Sequence, residues 1–424
     1  MKLIPSAALL AAFALAGGFA HAETTLSFLV DNGPASVAAA EALAAAYSAK
    51  NPDVTIEIEQ RPGGADGDNI IKTRLATGEM SDVFLYNSGS LFQAMNPTQT
   101  LADLTDLANQ ANVLDSFKTV VTGTDGKVYG VPIGTAMGGG ILYNKKIYAD
   151  LGLTIPKTWA EFMANNEKIK AAGKTAVIQT YKDTWTSQLF VLGDFYNVNA
   201  AVPAFAAEYT ANKAKYATTP AAMAGFQHLE DVNKAGYLNA DFGAATFDDG
   251  VKMVSTGEGA HYPMLTFAVG TIKQNYPENL GDVGFFAQPG DDAAKNGLTV
   301  WMPAGLYVPK DSANLEAAKA FVNGVATVEA CDIQTVANGA TGPYLVKDCT
   351  LPADVPQVVS DMMPYFTTEG LTAPALEFLS PIKGPNLEQI TVEVGSGIRP
   401  AAEAAGLYDQ DVEKQAKQLG LPNW

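Results

Sequence analysis

The stretch YGVPIGTAMGGGILYNKK, residues 129–146, runs apolar through Val131 and Ile133, passes four glycines at Gly134, Gly138, Gly139 and Gly140, and resumes with Ile141, Leu142 and Tyr143. Glycine reaches backbone angles that residues with a Cβ avoid. An interruption of this kind inside a core pattern reads as a hinge, where the chain leaves one half-sheet and enters another. A plain surface loop is the other reading, and the flanking sequence decides between them.

Upstream, TLSFLV (25–30) alternates Leu26, Phe28 and Val30 against Thr25, Ser27 and Leu29, the period of a strand. Asp31, Asn32, Gly33 and Pro34 end it, and an alanine-rich helix over 35–49 stops at Asn51 and Pro52. VTIEIEQ is a second strand, IIKTRLATGE a second helix and DVFLY a third strand. Such alternation predicts a parallel sheet whose ligands bind at the C-terminal strand ends. The loops there span 31–34, 60–64 and 86–90. Asp125 and Gly126 mark a hairpin turn.

Downstream, GILYNKK reads as a strand entering a helix, and Thr158 with Glu161 forms a capping box that starts the next. TAVIQTY is another buried strand, with a loop over 182–185. Residues 186–257 read as mostly helical, broken at Pro203, Pro220 and Gly243. GAHYPML and LTVWMPAGLYVP return to strand, and Pro303 with Gly305 suggests a second crossing. A third crossing is expected near Tyr344, and helices over 355–419 close the chain. A second half-sheet therefore starts after residue 140, which favours the hinge.

The N-terminus has one lysine, an apolar run over 7–16 and Ala20, His21, Ala22, a secretory leader with cleavage before Glu23. The run is short of the roughly 20 residues that span hydrocarbon. Leu15 to Gly18 resembles a lipoprotein box without its cysteine, so a free protein in a Gram-negative periplasm is expected. Roughly 400 mature residues favour two lobes over one core. A net charge of −18 repels phosphate backbones and anionic lipid, against nucleic-acid or membrane binding. The two cysteines, Cys331 and Cys349, are expected to form a disulfide in an oxidising compartment. Beyond the leader only His228 and His261 remain, without zinc-type spacing. No metal or cofactor is expected.

Taken in order, NPDVTIEIEQ, TRLATGEMSDVF, LADLTDL, DGKVYGVP, LYNKKIYADLGL, PKTWAEF, STGEGAHYPM and W-x-x-x-G-L-Y-V-P-K before AAKAFV resemble the family 1 extracellular solute-binding proteins. These are periplasmic carbohydrate receptors of ABC importers and include the maltose-binding protein. The resemblance implies a two-lobed α/β periplasmic-binding-protein fold (type II) with the ligand cleft between lobes. After the signal peptide, 1–22, lobe I would comprise 23–133 plus 302–346, and lobe II 134–301 plus 347–424. It also implies permease subunits in the inner membrane as partners and a monomeric receptor. Phe267 stands near the place of a tryptophan that members more often carry.

A sugar presents apolar C–H faces and a rim of hydroxyls, so its site needs flat aromatic surface and fixed donors and acceptors. Trp185 follows a strand at the ligand edge and Trp301 lies at a crossing. Tyr86, Phe267 and Tyr344 are further aromatic candidates, with Gly305 beside the crossing. Asp31, Asn32, Arg61, Asn87, Ser88 and Asp183 offer polar contacts. Trp159 and Trp424 read as core. Among catalytic motifs no G-x-S-x-G, H-E-x-x-H, P-loop or dinucleotide fingerprint occurs, so no catalytic residue is named. The expected function is capture of a di- or oligosaccharide for import. The alternatives are a polyol or glycerol phosphodiester receptor and a secreted glycoside-processing enzyme.

Overall fold

The computed structural model describes residues 24–424; the leader expected over 1–22, with its cleavage site, lies outside the described residues. Strand β1 (Thr24–Asp31) runs parallel to both β2 (Val54–Arg61) and β3 (Val83–Tyr86). The connecting helices are Pro34–Lys50, which starts on a proline whose missing N–H costs nothing there, and Gly64–Thr77, which ends on left-handed Gly78. Leu29, which the alternation groups with Thr25 and Ser27, is fully buried along with Leu26, Phe28 and Val30. A parallel strand in mid-sheet is covered on both faces, so strict alternation fails there. On the edge strand β2 the alternation holds.

After β4 (Val131–Ile133) the chain enters a second sheet through β5 (Met137–Asn144). β6 (Thr175–Val177), β7 (Gly259–Leu265), β8 (Val283–Ala287) and β9 (Leu298–Trp301) complete most of it. β10 (Ala304–Tyr307) then returns to the first sheet, antiparallel between β3 and β4. β11 (Thr372–Pro374) joins the second sheet beside β9. The strand orders are β2-β1-β3-β10-β4 and β11-β9-β5-β7-β6, with β8 also on β5.

Two crossings are therefore short, 134–136 and 302–303. A third segment runs alongside them: Tyr344 bridges Thr135, and the Ala136 N–H donates to the Pro343 carbonyl at 2.8 Å. The disulfide Cys331–Cys349 ties the helix Val328–Asn338 to the loop just past this segment.

Of the four glycines expected to form a hinge, one lies in the crossing between the sheets. Gly134 has φ +90°, but Gly138, Gly139 and Gly140 lie inside β5 and have no left-handed angle. Their lack of a side chain serves packing instead. A Cβ on Gly138 would stand 3.0 Å from Leu298 and Met362, and one on Gly140 would stand 2.5 Å from the Phe286 carbonyl oxygen. A Cβ on Gly139 would meet the Trp301 ring at 2.2 Å. Strand β5 is central, with β7 on one side and β8 and β9 on the other, and bulky residues cross both its faces.

Two smaller expectations change as well, and one holds. Pro220 opens the helix Pro220–Lys234 rather than breaking one. The region read as closing helices contains β11, too short to show a period. The capping box at Thr158 is present, with the Glu161 N–H donating to Thr158 Oγ1 at 3.2 Å. Among the described residues no helix is long and apolar enough to cross a membrane.

Candidate functional site

A cavity of about 520 Å³ opens between the two sheets, at the C-terminal ends of β1, β2 and β3 and beside the crossings. From the first sheet the lining takes Asp31 and Asn32 after β1, Arg61 at the end of β2, and Asn87 and Ser88 after β3. From the other side come Asp183 and Trp185, held at the turn Thr184–Gln188, with Phe267 after β7 and Trp301 ending β9. Tyr344 reaches the same cavity from the third crossing. Ten of the twelve expected ligand-contacting residues thus border one space.

The other two lie outside its lining. Tyr86 is completely buried, and the Arg61 guanidinium lies 5.6 Å from its ring centre. Gly305 pairs with Tyr86 across β10 and β3, and the Tyr307 ring occupies the space a Cβ would need. Both belong to the packing beneath the cavity floor.

The aromatic surface is a group of three. Phe247 and Phe267 stack at 5.5 Å with planes 24° apart, and Trp185 lies 5.5 Å from the first and 6.1 Å from the second. Phe247 is positioned by the capping box of Thr246 and Asp249, and its N–H donates to Asp183 Oδ2 at 2.6 Å. Cβ atoms on Gly63 and Gly64 would stand 3.7 and 3.4 Å from the Trp185 indole, so the loop after β2 meets the opposite side at this point. Trp301 makes a second flat wall. Its indole N–H donates to Glu377 Oε1, and Glu377 also pairs with Lys383 at 3.6 Å.

Arg61 lines the cavity and donates to the Pro62 carbonyl at 2.9 Å and that of Leu85 at 3.3 Å, while its buried Nε has no hydrogen-bond partner among the described residues. Glu388 accepts from Thr184 Oγ1 at 2.6 Å. Burial lifts its carboxyl above the ordinary carboxylate range; the Thr184 hydrogen bond and Lys383 oppose the rise, and the charge of Asp68 adds to it. Burial also raises Asp248, helped by Asp183 and Asp249. The cavity is thus aromatic and acidic.

Sequence reading missed Asp68, Gln188, Phe247, Asp248, Glu377, Lys383 and Glu388, all in the lining. The T-F-D-D box could have pointed to Phe247, since it starts a helix just before β7. Nothing local marks Glu377, Lys383 or Glu388, which tertiary folding brings in from near the C-terminus. The histidines are elsewhere: His228 stacks on Trp159 at 3.7 Å and His261 bonds Tyr148 and Asn166. Burial pushes both down to about 3, so both are neutral core residues. Among the described residues no group of three or more His, Cys, Asp or Glu could hold a metal ion.

Residues 31–330 match the model of the bacterial extracellular solute-binding proteins. The chain is 26% identical over 298 residues to the Multiple sugar-binding protein of Streptococcus mutans, covering 67% of each. It is 22% identical over 334 residues to the Melibiose/raffinose/stachyose-binding protein MelE of Bacillus subtilis, covering 76% of this chain and 71% of that one. Among solved structures, a chitin oligosaccharide binding protein superposes with a TM-score of 0.80 at 20% identity, over 93% of this chain and 99% of that one. That likeness is one of fold.

Proposed function

The chain belongs to the bacterial extracellular solute-binding protein family, and from that premise we propose that it captures a di- or oligosaccharide and hands it to an ABC permease. We place it in the periplasm, as a monomer, and divide it into lobe I (23–133 plus 302–346) and lobe II (134–301 plus 347–424). One observation carries the reading: a single cavity takes an aromatic group from the second sheet and polar strand-end loops from the first. The Trp185, Phe247 and Phe267 surface suits the apolar face of a sugar ring, and the surrounding acceptors suit its hydroxyls.

In this mechanism open and closed arrangements are in equilibrium, and a ligand touching both sides shifts it toward the closed one. Gly134, at φ +90°, and the two-residue link 302–303 are where rotation would concentrate. The wall is acidic, which disfavours a glycerol phosphodiester. Family and relatives are binding proteins, and the proposed role is binding without turnover.

A thermal-shift screen over mono- and oligosaccharides tests the proposal. A ligand at about 100 times its dissociation constant adds about 2.7 kcal/mol of stability. A concentration-dependent rise in melting temperature with an intact sugar supports the reading. No rise with any sugar, or consumption of the sugar, contradicts it.

A further inference from the structure

The Trp301 wall at the end of β9 is held at two opposite edges of its ring. On the benzene edge, a Cβ on Gly139 would stand 2.9 Å from Trp301 Cε3 and 3.1 Å from Cη2, so the bare backbone of β5 makes a notch for that side. On the pyrrole edge, the indole N–H donates to Glu377 Oε1. The outer torsion of a tryptophan side chain is broad, so packing along one edge fixes the ring less tightly than packing there and a bond at the other.

Glu377 is itself fixed by the fold. It follows β11, the parallel neighbour of β9, in which Pro374 lies opposite Val300. The Ala375 N–H donates to the Val300 carbonyl at 2.9 Å, one residue before Trp301. From the first sheet, the loop after β3 packs against the same segment: a Cβ on Gly89, which has φ +69°, would run into the Glu377 carbonyl and stand 2.7 Å from Phe378 Cδ1. The side chain is held as well, since Glu377 Oε2 lies 3.6 Å from Lys383 Nζ, and the two side chains are only 12% and 13% exposed. Each carboxylate oxygen therefore has a partner within the chain. A carboxylate is a strong acceptor for the indole N–H, and the lysine offsets the cost of its burial. With the N–H occupied, Trp301 offers a ligand ring surface alone, which is what the apolar face of a sugar needs.

Resting on the carbohydrate reading above, we propose that Glu377 is a positioning residue that sets Trp301 as a fixed stacking wall and acts on the ligand through that ring. A ring ordered before binding spares the ligand the cost of ordering it.

The test compares Glu377→Leu, which keeps bulk and removes the acceptor, with Glu377→Gln, which keeps an acceptor. Both lose the ion pair to Lys383, so a difference between them isolates the bond to Trp301. Each is made in the parent and in Trp301→Phe, which has no N–H to hold, and folding is checked by melting temperature; Glu377→Ala replaces the leucine variant if that one does not fold. Calorimetric titration with maltose, cellobiose, lactose and melibiose should show binding weakened about three- to tenfold by Glu377→Leu and restored toward the parent value in Glu377→Gln. In the Trp301→Phe background the two should bind alike. In protein labelled with 15N-tryptophan, which has four indole signals, the one lost in Trp301→Phe is that of Trp301. It should be sharp and slow to exchange with solvent in the parent and Glu377→Gln, and broad or fast to exchange in Glu377→Leu. Equal weakening by the leucine and glutamine variants, weakening that persists in Trp301→Phe, or an unchanged Trp301 signal in Glu377→Leu overturns the positioning role and leaves the carbohydrate reading standing. A parent that binds none of the four disaccharides overturns the proposal's ligand role, and the broader thermal-shift screen then shows whether the carbohydrate reading falls too.

Discussion

Gly139→Ala is predicted to destabilise the protein and to disturb the ligand wall through a single methyl group. The added Cβ would lie 2.2 Å from Trp301 Cζ3 and 2.9 Å from Cε3. Trp301 is the diagonal neighbour of Gly139 across β5 and β9, since Thr299 sits opposite Gly139 and Trp301 opposite Met137. The ring would have to withdraw by roughly 1.5 Å to reach ordinary contact, yet it is 6% exposed and its N–H is bonded to Glu377. Overpacking of a tight core costs about 1–3 kcal/mol, which for a chain of this size lowers the melting temperature by about 1–4 °C. Displacing the ring should also weaken ligand binding. Gly406→Ala is the contrasting substitution. It lies in the helix Ala401–Gln418 with nothing within 4 Å of a built Cβ, and should stabilise by about 0.5–1 kcal/mol. In a Trp301→Ala background, Gly139→Ala should cost less than about 0.5 kcal/mol, because its partner is gone. Thermal melts of the four proteins measure the cycle. A Gly139→Ala protein as stable as the parent, or one equally destabilised with and without Trp301, would refute the packing argument.

Trp185→Ala should weaken sugar binding by about 2 kcal/mol through lost stacking and apolar contact, measured by titration. Trp159→Ala should leave affinity nearly unchanged while costing about 3–5 kcal/mol of stability, because that ring lies in the core against His228. Protein taken from the oxidising compartment should alkylate at neither Cys331 nor Cys349 without reductant, and Cys349→Ser should cost about 3 kcal/mol for a loop of this length. Asp194 is enclosed, and burial pushes its carboxyl up from 3.8 to about 8. The folded protein keeps a proton that the unfolded chain releases, so the contribution is fully present below pH 3.8 and is lost as the pH rises to about 8. Asp194→Asn should therefore melt above the parent near neutral pH, with the difference closing on acidification.

The first three strands and their helices were legible because period and breakers agree there: Leu26, Phe28 and Val30 alternate, and Asn32 to Pro34 end the run. The crossing at Pro303 was legible because a proline and a glycine interrupt an otherwise continuous strand pattern. The glycines of β5 misled in part, since composition reports that no side chain is present but not whether torsion or a neighbouring ring requires its absence. At the site, residues on strand-end loops were legible from the rule that α/β sheets bind at that edge. Glu377, Lys383 and Glu388 were not, because they arrive from far along the chain with no local pattern. Tyr86 was misplaced because a residue at a strand end can point into the sheet's core as readily as toward the cleft.

The most direct test of carbohydrate capture is native mass spectrometry of the mature protein mixed with a panel of mono- to tetrasaccharides. The account predicts one saturable increment per chain, equal to the mass of an intact sugar. A spectrum with no sugar adduct, or one in which the sugars appear as hydrolysis fragments, would contradict it.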